Sequence, residues 1–328
     1  MKYSARVLSW LLILLLALPA VWAAEPSGSD ARQTVTTISV QPLEAPPAGE
    51  QPLSLDGCQW VWHPGDNATV SAPPIHVIFT GTITLPDNDN VGRGEFLLHA
   101  DDLFTLIVNG QPAGQGGLNG LIPNPEKQKT GAQETESSEP VPQPLLADIT
   151  GLLKPGTNNI MIRVINTIPS TPAGLIGRWR VRMTSGAIIT GEIDRNWKAR
   201  RNISKVTVSV EALVPYGQAP WDGIPGSVPS EGPFLGSCTL PAIGPDTEVW
   251  LAVDAVCEGM TASVNTAAPV PFEKGAFRVN ITPAVLQGEN RVRIEPCAPA
   301  RVRMELAPVQ KQDIPPDATA PSTPPAGS

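Results

Sequence analysis

Apolar and polar residues alternate with a period of two through much of the chain, a pattern typical of strands with one buried face. The clearest examples are Ile75–Leu85, IHVIFTGTITL, and residues 104–108. The second run leads directly into Asn109-Gly110, a dipeptide typical of tight β-hairpins. There are few signs of long amphipathic helices. The pattern therefore predicts an all-β protein.

One stretch occurs twice. Residues 148–163 read DITGLLKPGTNNIMIR, and residues 280–295 read NITPAVLQGENRVRIE, with no gap between the copies. Each copy keeps a Gly eight residues after its first position and an Asn ten residues after it, and both residue types suit tight turns. The predicted unit is a strand end, a short helical or looped turn, a Gly turn and a second strand. Two copies predict two copies of one domain.

The head of the repeat is Asp148 in the first copy and Asn280 in the second. A turn tolerates that exchange far better than a catalytic acid would. We therefore interpret the repeat as an element that closes each sandwich, and we expect any functional site to lie elsewhere.

The composition of the chain indicates how the predicted strands are divided among domains and linkers. The 37 prolines and 29 glycines favour strands, turns and linkers over helices. We predict a signal peptide at residues 1–23, a disordered linker at 24–54, a first β-sandwich at 55–200 with a mobile insertion at 121–144, a bridge at 201–233, a second β-sandwich at 234–308 and a disordered Pro-rich tail at 309–328.

The first 23 residues have the charged start, apolar run and small residues near position 23 of a secretory signal. The chain is therefore expected to be secreted or periplasmic and to have no membrane span after cleavage. An uncleaved membrane anchor is the alternative interpretation, because the apolar run is long.

The net charge of the chain limits the classes of molecule that it is expected to bind. The formal net charge is −8, and loss of Lys2 and Arg6 with the signal would bring it near −10. An acidic surface argues against nucleic acid and anionic lipid. The largest basic cluster lies among alternating strand residues, and we expect a solvated strand face there rather than a binding patch. Its members are Arg195, Lys198, Arg200, Arg201 and Lys205.

The four cysteines, Cys58, Cys238, Cys257 and Cys297, allow three full pairings. The segment Ser263-Val264-Asn265 corresponds to Ile107-Val108-Asn109 of the first half, which aligns Cys257 with Asp101. The repeat itself, extended by two residues, aligns Cys297 with Ile165. Those positions should lie near one end of the same sandwich, which favours a Cys257–Cys297 disulfide. The spacing does not suit metal binding, so no cofactor is expected.

A structural Ca²⁺ is a minor alternative, because Asp87 and Asp89 alternate with Asn in a loop. A polar turn is the preferred interpretation of that loop.

The chain carries no GxSxG or HExxH motif. Asp101 and Asp102 are the strongest carboxyl candidates, but sequence neighbours cannot easily flank one glycosidic bond. They are expected to shape a loop or to contact a ligand or ion. Among the tryptophans, Trp179, Trp197 and Trp250 are expected in the core, Trp60 or Trp62 could be half exposed, and Trp221 should pin the bridge to both domains.

Four segments resemble the galactose-binding-like jelly roll found on the N-terminal side of α-L-rhamnosidases and related bacterial glycoside hydrolases. They are WVWHP at 60–64, HADDLFTLIVNGQ at 99–111, ADITGLLKPGTNNIMIRVIN at 147–166 and TGEIDRNWKA at 190–199. The bridge, ending in PYGQAPWDG at 215–223, is similar to the joint between two sandwich domains in such enzymes. The resemblance covers roughly residues 56–307 and weakens in the second half.

The resemblance implies the accessory part of such an enzyme without its catalytic barrel. It suggests a non-catalytic module that binds a carbohydrate or cell-surface polysaccharide, with ligand contacts at Asp101, Asp102, Asn109, Trp62 and His63. A structural envelope protein that binds a partner protein and no sugar is the alternative. An accessory part of a split glycoside hydrolase is the least favoured interpretation.

Overall fold

The computed structural model describes residues 35–44, 51–117 and 143–309. All its regular elements are β-strands or short 3-10 turns, which confirms the all-β prediction. None of the helical segments in these ranges is long and apolar enough to cross a membrane. The predicted signal peptide, most of the insertion and nearly all of the tail lie outside the described residues.

Strands are numbered in chain order, and every pairing is antiparallel. Sheet I has the order β14-β3-β10-β5-β8, with β11 also paired to β10. Its strands are β3 Gln59–Trp62, β5 Val91–Asp101, β8 Leu145–Asp148, β10 Gly174–Met183, β11 Ile188–Glu192 and β14 Glu211–Pro215.

Sheet II has the order β13-β12-β4-β9-β6-β7. Its strands are β4 Ile75–Leu85, β6 Leu103–Val108, β7 Gln111–Gly117, β9 Gly156–Asn166, β12 Lys198–Arg201 and β13 Val208–Ser209. Sheets I and II enclose one apolar core that contains the fully buried rings of Phe79 and Phe96. Burial of such a ring contributes about 2–3 kcal/mol.

Sheets III and IV enclose a second core. Sheet III has the order β1-β23-β17-β20, and its strands are β1 Thr36–Ser39, β17 Thr247–Val253, β20 Arg278–Asn280 and β23 Val302–Pro308. Sheet IV has the order β19-β18-β21-β16-β2, and its strands are β2 Gln41–Pro42, β16 Phe234–Leu240, β18 Thr261–Val264, β19 Val270–Pro271 and β21 Gly288–Glu295. A ribbon of β15 Ser230–Glu231 and β22 Cys297–Ala298 completes the strands.

The expected linker at residues 24–54 is wrong in part, because β1 and β2 lie within it. Strand β1 pairs with β23 in sheet III, and β2 pairs with β16 in sheet IV. Val40, between the two strands, is 5% exposed and belongs to the second core. The run TTIS is short and mostly exposed, so its own pattern is weak and its partner strands lie far away in sequence.

The expected bridge at residues 201–233 also contributes strands. Strands β13 and β14 extend sheets II and I, respectively, so the first sandwich continues past residue 200. All described residues fall in one compact unit. The division into two tandem domains with the expected boundaries therefore stays a prediction.

The bridge packs on the outer face of sheet I. The Trp221 indole stacks on that of Trp60 with ring centroids 4.4 Å apart, and both lie against Gly174. A side chain at Gly174 would come within 3 Å of both indoles. Nearby, the Ser54 hydroxyl donates to the buried carboxylate of Asp254, and the Gly226 amide donates to its carbonyl. Burial raises the pKa of Asp254.

The first copy of the repeat forms a 3-10 turn at Thr150–Leu152 and then a Gly turn, with Gly156 at φ 79°. Asn158 is fully buried and closes this turn. Its Oδ1 accepts from the Lys154 amide at 2.8 Å, and its Nδ2 donates to the carbonyls of Lys154 and Gly156. The asparagine therefore satisfies backbone groups that the turn would otherwise leave unpaired in the interior.

The second copy repeats these contacts atom for atom. A 3-10 turn spans Thr282–Ala284, and Gly288 has φ 95°. The Asn290 Oδ1 accepts from the Leu286 amide at 2.8 Å, and its Nδ2 donates to the carbonyls of Leu286 and Gly288. The shared spacing of Gly and Asn thus reflects one hydrogen-bonded turn used twice.

Candidate functional site

The residues expected to contact a ligand do not form one site. Asp102 precedes β6 and Asn109 follows it, so the whole strand separates them by roughly 20 Å. Strand β5, which ends at Asp101, and strand β3, which ends at Trp62, pair with β10 from opposite sides, through Gly174 opposite Asp101 and Leu175 opposite Val61. Asp101, Asp102 and Trp62 therefore gather near one end of the first sandwich, and Asn109 lies at the other end.

Asn109 has its polar atoms occupied by the repeat. Its Nδ2 donates to the Leu152 carbonyl and to the Asn158 Oδ1, both at 2.8 Å, and its Oδ1 accepts from the Asn159 amide. Its φ of 49° fits the predicted hairpin at Asn109-Gly110. Asn265 has the matching position and contacts in the second copy. The geometry gives Asn109 a role in joining the hairpin to the repeat.

Asp101 is 9% exposed, and its Oδ2 accepts from the Trp221 indole at 3.0 Å. Burial raises the pKa of Asp101 to about 7, with a further upward contribution from Asp102, while the Trp221 bond opposes the shift. The carboxyl thus anchors the bridge tryptophan and titrates near neutral pH.

Asp102 is 2% exposed, and its Oδ2 accepts from the amide and hydroxyl of Thr167 at 2.7 and 2.5 Å. Burial alone would raise its pKa, but hydrogen bonds, first from Asp101 and then from Thr167, lower it overall. Its charge is balanced by donors within the fold, so this carboxylate holds the segment after β9 in place.

The aromatic part of the expected set is buried. Trp60 and Trp62 are fully buried, contrary to the expectation that one is half exposed. The Trp62 indole donates to Asp66, and its ring lies 5.6 Å from that of Phe79. His63 is half-buried, and its Nδ1 lies 2.8 Å from the Pro64 carbonyl oxygen. Neither indole offers a face to a sugar.

His99 lies beside Trp60 and is fully buried, and among the described residues neither of its ring nitrogens has a hydrogen-bond partner. Burial lowers the pKa of His99 to about 4, so the ring is neutral at neutral pH.

Sequence reasoning missed a groove of about 710 Å³ on the first sandwich. Sheet II contributes Thr80 and Thr82 from β4 and Asn159 and Met161 from β9. The end of β11, the connection to β12 and the start of β12 contribute the rest of the polar wall, whose members are Glu192, Asp194, Asn196 and Lys198. Hydroxyl, amide, carboxyl and ammonium groups therefore surround one concave surface.

Two indoles of the core reach this groove. Trp179 lies over Gly191, and Trp197 lies over Gly81, so that a side chain at either glycine would come within 2.6 Å of the ring. Trp179 and Trp197 are 9% and 5% exposed, which confirms their predicted place in the core. The signal for the groove was a glycine inside a strand, which often marks close approach by another group.

Trp250 differs from the prediction, because it is only half-buried. It alternates with the buried Val249 and Leu251 and therefore points to the outer face of sheet III. The Arg278 guanidinium lies 4.8 Å from its ring centroid, and its indole donates to Glu248. Alternation alone could not tell the inner face from the outer one.

The predicted Cys257–Cys297 disulfide is confirmed, with an S–S distance of 2.01 Å. Cys58 and Cys238 are free and buried. Asp89 holds a polar turn, since it accepts from Asn90, Thr184 and Ser185. Within the described ranges, no group of three His, Cys, Asp or Glu side chains could hold a metal ion.

No family model matches this sequence, and no curated protein matches it. Among solved structures, an α-L-rhamnosidase from Streptomyces avermitilis, complexed with L-rhamnose, matches at 16% identity with a TM-score of 0.44, over 84% of this chain and 28% of that one. A lectin from Pleurotus ostreatus, in complex with GalNAc, matches at 17% identity with a TM-score of 0.42, over 83% of this chain and 77% of that one. An α-L-rhamnosidase from Aspergillus terreus matches at 11% identity with a TM-score of 0.35, over 78% of this chain and 36% of that one.

These matches confirm the resemblance to part of the α-L-rhamnosidases. The chain spans only about a third or less of the rhamnosidases it matches.

Proposed function

We propose that this protein is a non-catalytic carbohydrate-binding module and that the groove on sheet II is its sugar site. The observation that carries the proposal is the combination of a concave surface, two indoles at its base and a polar wall. Sugar rings present apolar C–H faces and many hydroxyls, so aromatic surface beside hydroxyl, amide and carboxyl groups complements them.

The non-catalytic part of the proposal rests on the carboxyls in the groove. Glycoside hydrolysis needs two carboxyl groups on opposite sides of the scissile bond. Glu192 and Asp194 lie two residues apart on one segment, and Glu192 forms an ion pair with Arg178 at 3.4 Å. Asp194 accepts from the amide and side chain of Asn196. This arrangement supports ligand binding rather than acid and base chemistry.

Export is part of the same proposal. The Cys257–Cys297 disulfide is the type of bond that persists in an oxidising compartment. It supports a secreted or periplasmic location, where a polysaccharide ligand would be found.

One observation favours the alternative, a structural protein that binds another protein and no sugar. The indoles of Trp179 and Trp197 are 9% and 5% exposed, so a ligand could touch only a small part of each ring. On this alternative, the groove would exist only because Gly81 and Gly191 have no side chains beside the two indoles, and it would bind no sugar.

The test is calorimetric titration of the protein with methyl rhamnoside, methyl galactoside and neutral oligosaccharides. Two double variants are compared. Each replaces two residues that lie opposite each other on β4 and β9, on the same face of sheet II. Thr82 pairs with Asn159 inside the groove, and Thr84 pairs with Thr157 one row outside it. All four side chains are exposed, so alanine replacements should leave folding intact.

We expect the Thr82→Ala/Asn159→Ala variant to bind at least about tenfold more weakly, because two hydrogen-bonding groups are lost. The Thr84→Ala/Thr157→Ala variant should bind as wild type does. Equal loss in both variants, or no heat with any glycan, would reject the groove as a sugar site. Turnover of an aryl glycoside would reject the non-catalytic assignment.

A further inference from the structure

The outer face of sheet II carries a row of three basic side chains beside the groove. The strand register places Arg200 opposite Ile78, and Ile78 opposite Arg163. Lys198 lies two residues before Arg200 on the same strand and therefore on the same face. Arg163 and Lys198 are exposed, and Arg200 is half-buried. We call Arg163, Lys198 and Arg200 the basic row.

The basic row has no acidic partner in the described part of the chain. Lys198 donates to the Ser209 hydroxyl at 2.8 Å, and Arg200 approaches the Asn202 carbonyl at 3.5 Å. The outward residues of β4, β6, β9 and β12 include no Asp or Glu. By contrast, Arg201 points to the other face and pairs with Asp66 at 2.6 Å. Three unneutralised cations on one face are notable in a chain of formal charge −8.

The basic row is continuous with the groove. Lys198 lines the groove and belongs to one straight line of residues across the sheet, with Thr80, Met161 and Ile107. Arg200 and Arg163 occupy the next line on the same face. A polymer that is seated in the groove and extends along this face would pass over the cations.

We infer that the basic row selects carboxylated polysaccharides, chains that contain uronic acid residues, as the ligands of this face. The inference rests on the proposed sugar site and adds the charge of its ligand. Strand geometry puts Lys198 roughly 7 Å from Arg200, and Arg200 roughly 10 Å from Arg163. Such sparse positive charge suits a polymer with one carboxylate per sugar residue.

Nucleic acid fits this face less well. Its charges are denser, about one per 3.4 Å along each strand, and its binding needs many cations. The acidic remainder of the protein would repel it over longer distances. The hydroxyl and amide groups of the adjoining groove complement sugar hydroxyls.

The experiment compares polygalacturonate with a neutral β-galactan by affinity electrophoresis of the full chain, at low and at moderate salt. The test variant is Arg163→Gln/Arg200→Gln, which leaves Lys198 in the groove wall unchanged. The control variant, Lys274→Gln/Arg291→Gln, removes the same charge from exposed positions of the other sandwich. Thermal denaturation confirms that both variants are folded.

We expect wild type to bind polygalacturonate at least about tenfold more tightly than the neutral polymer, with an advantage that shrinks as salt screens the charges. The test variant should lose this advantage and keep its neutral binding, and the control variant should behave as wild type does. Equal binding of both polymers by wild type would overturn this inference and leave the sugar site standing. Binding of neither polymer would overturn both. Tighter binding of a single-stranded oligonucleotide or of anionic vesicles than of polygalacturonate would also overturn it.

Discussion

The two sandwiches solve one structural problem in different ways at matching positions. In the first sandwich, Asp102 follows β5, and its amide approaches the Ile165 carbonyl at 3.4 Å. In the second, the residues that match Asp101 and Ile165 are Cys257 and Cys297, and a disulfide joins them. Both sandwiches thus tie the same two segments together, one with hydrogen bonds and one with a covalent bond.

The two cores suggest why the ties differ. Among the described residues, the buried cluster between sheets I and II contains six aromatic side chains. The one between sheets III and IV contains none, and only the partly buried Phe234, Phe272 and Phe277 pack against it. A smaller apolar core contributes less to stability, and small exported domains often compensate with disulfides. The comparison also indicates a structural role for Asp101 and Asp102, because this acid pair lies where the second sandwich has its disulfide.

The largest effect should come from removing the cross-link. In Cys257→Ala/Cys297→Ala, loss of a bond that closes a separation of 40 residues should lower the free energy of unfolding by about 4 kcal/mol. The loss should be confined to sheets III and IV. Urea denaturation with hydrogen exchange by segment measures it. Unchanged hydrogen exchange in sheets III and IV would show that the disulfide and the matching hydrogen bonds of the first sandwich do not have equivalent roles.

The next effect should come from Asp102→Ala, which leaves the amide and hydroxyl of Thr167 without their acceptor. We expect a loss of about 3 kcal/mol in the free energy of unfolding. Glu258 has the matching position in the second copy and is exposed, so Glu258→Ala is the control and should cost less than about 0.5 kcal/mol. Similar losses in the free energy of unfolding for the two variants would show that Asp102 has no special structural role in the first sandwich.

The raised pKa of Asp101 predicts that the stability of the protein depends on pH. Its folded pKa of about 7 lies above the ordinary value of 3.8, so the folded state binds the proton more tightly. Its contribution to stability is full below pH 3.8 and is lost as the pH rises to about 7. Asp101→Asn keeps an acceptor for Trp221 and should gain on the order of 2 kcal/mol relative to wild type between pH 5 and pH 7.5. Melting temperatures across this range test it, and a relative loss with rising pH would contradict it.

The smallest effect should come from exchanging the heads of the two repeat copies. The Asp148 Oδ1 accepts from the amide and hydroxyl of Thr150, and the Asn280 Oδ1 accepts the same two bonds from Thr282. Asp148→Asn and Asn280→Asp should each change the free energy of unfolding by less than about 1 kcal/mol. Chemical denaturation measures both. A large loss in either would mean that the two turns differ in a way their hydrogen bonds do not reveal.

Much of the local structure could be predicted from the sequence. Period-two alternation predicts β4 and β6, Asn109-Gly110 predicts the hairpin, and the spacing of Gly and Asn predicts the turn locked by Asn158 and Asn290. Alignment of the two copies also predicted the disulfide. These features depend on residues close in sequence or on a repeat that can be compared with itself, so the pattern is visible in the chain.

Contacts distant in sequence decided the rest. Strands β1 and β2 find their partners more than 190 residues later, and their own pattern is too short to indicate a strand. Alternation assigns two faces to a strand but cannot say which face another sheet covers, so it wrongly predicts that Trp250 is in the core and that Trp60 or Trp62 is half exposed. The groove exists because Gly81 and Gly191 lie under indoles from other segments. The sequence alone determined the strands and their turns, whereas the tertiary structure decided which polar residues are left exposed to meet a ligand, because exposure depends on what packs against each face.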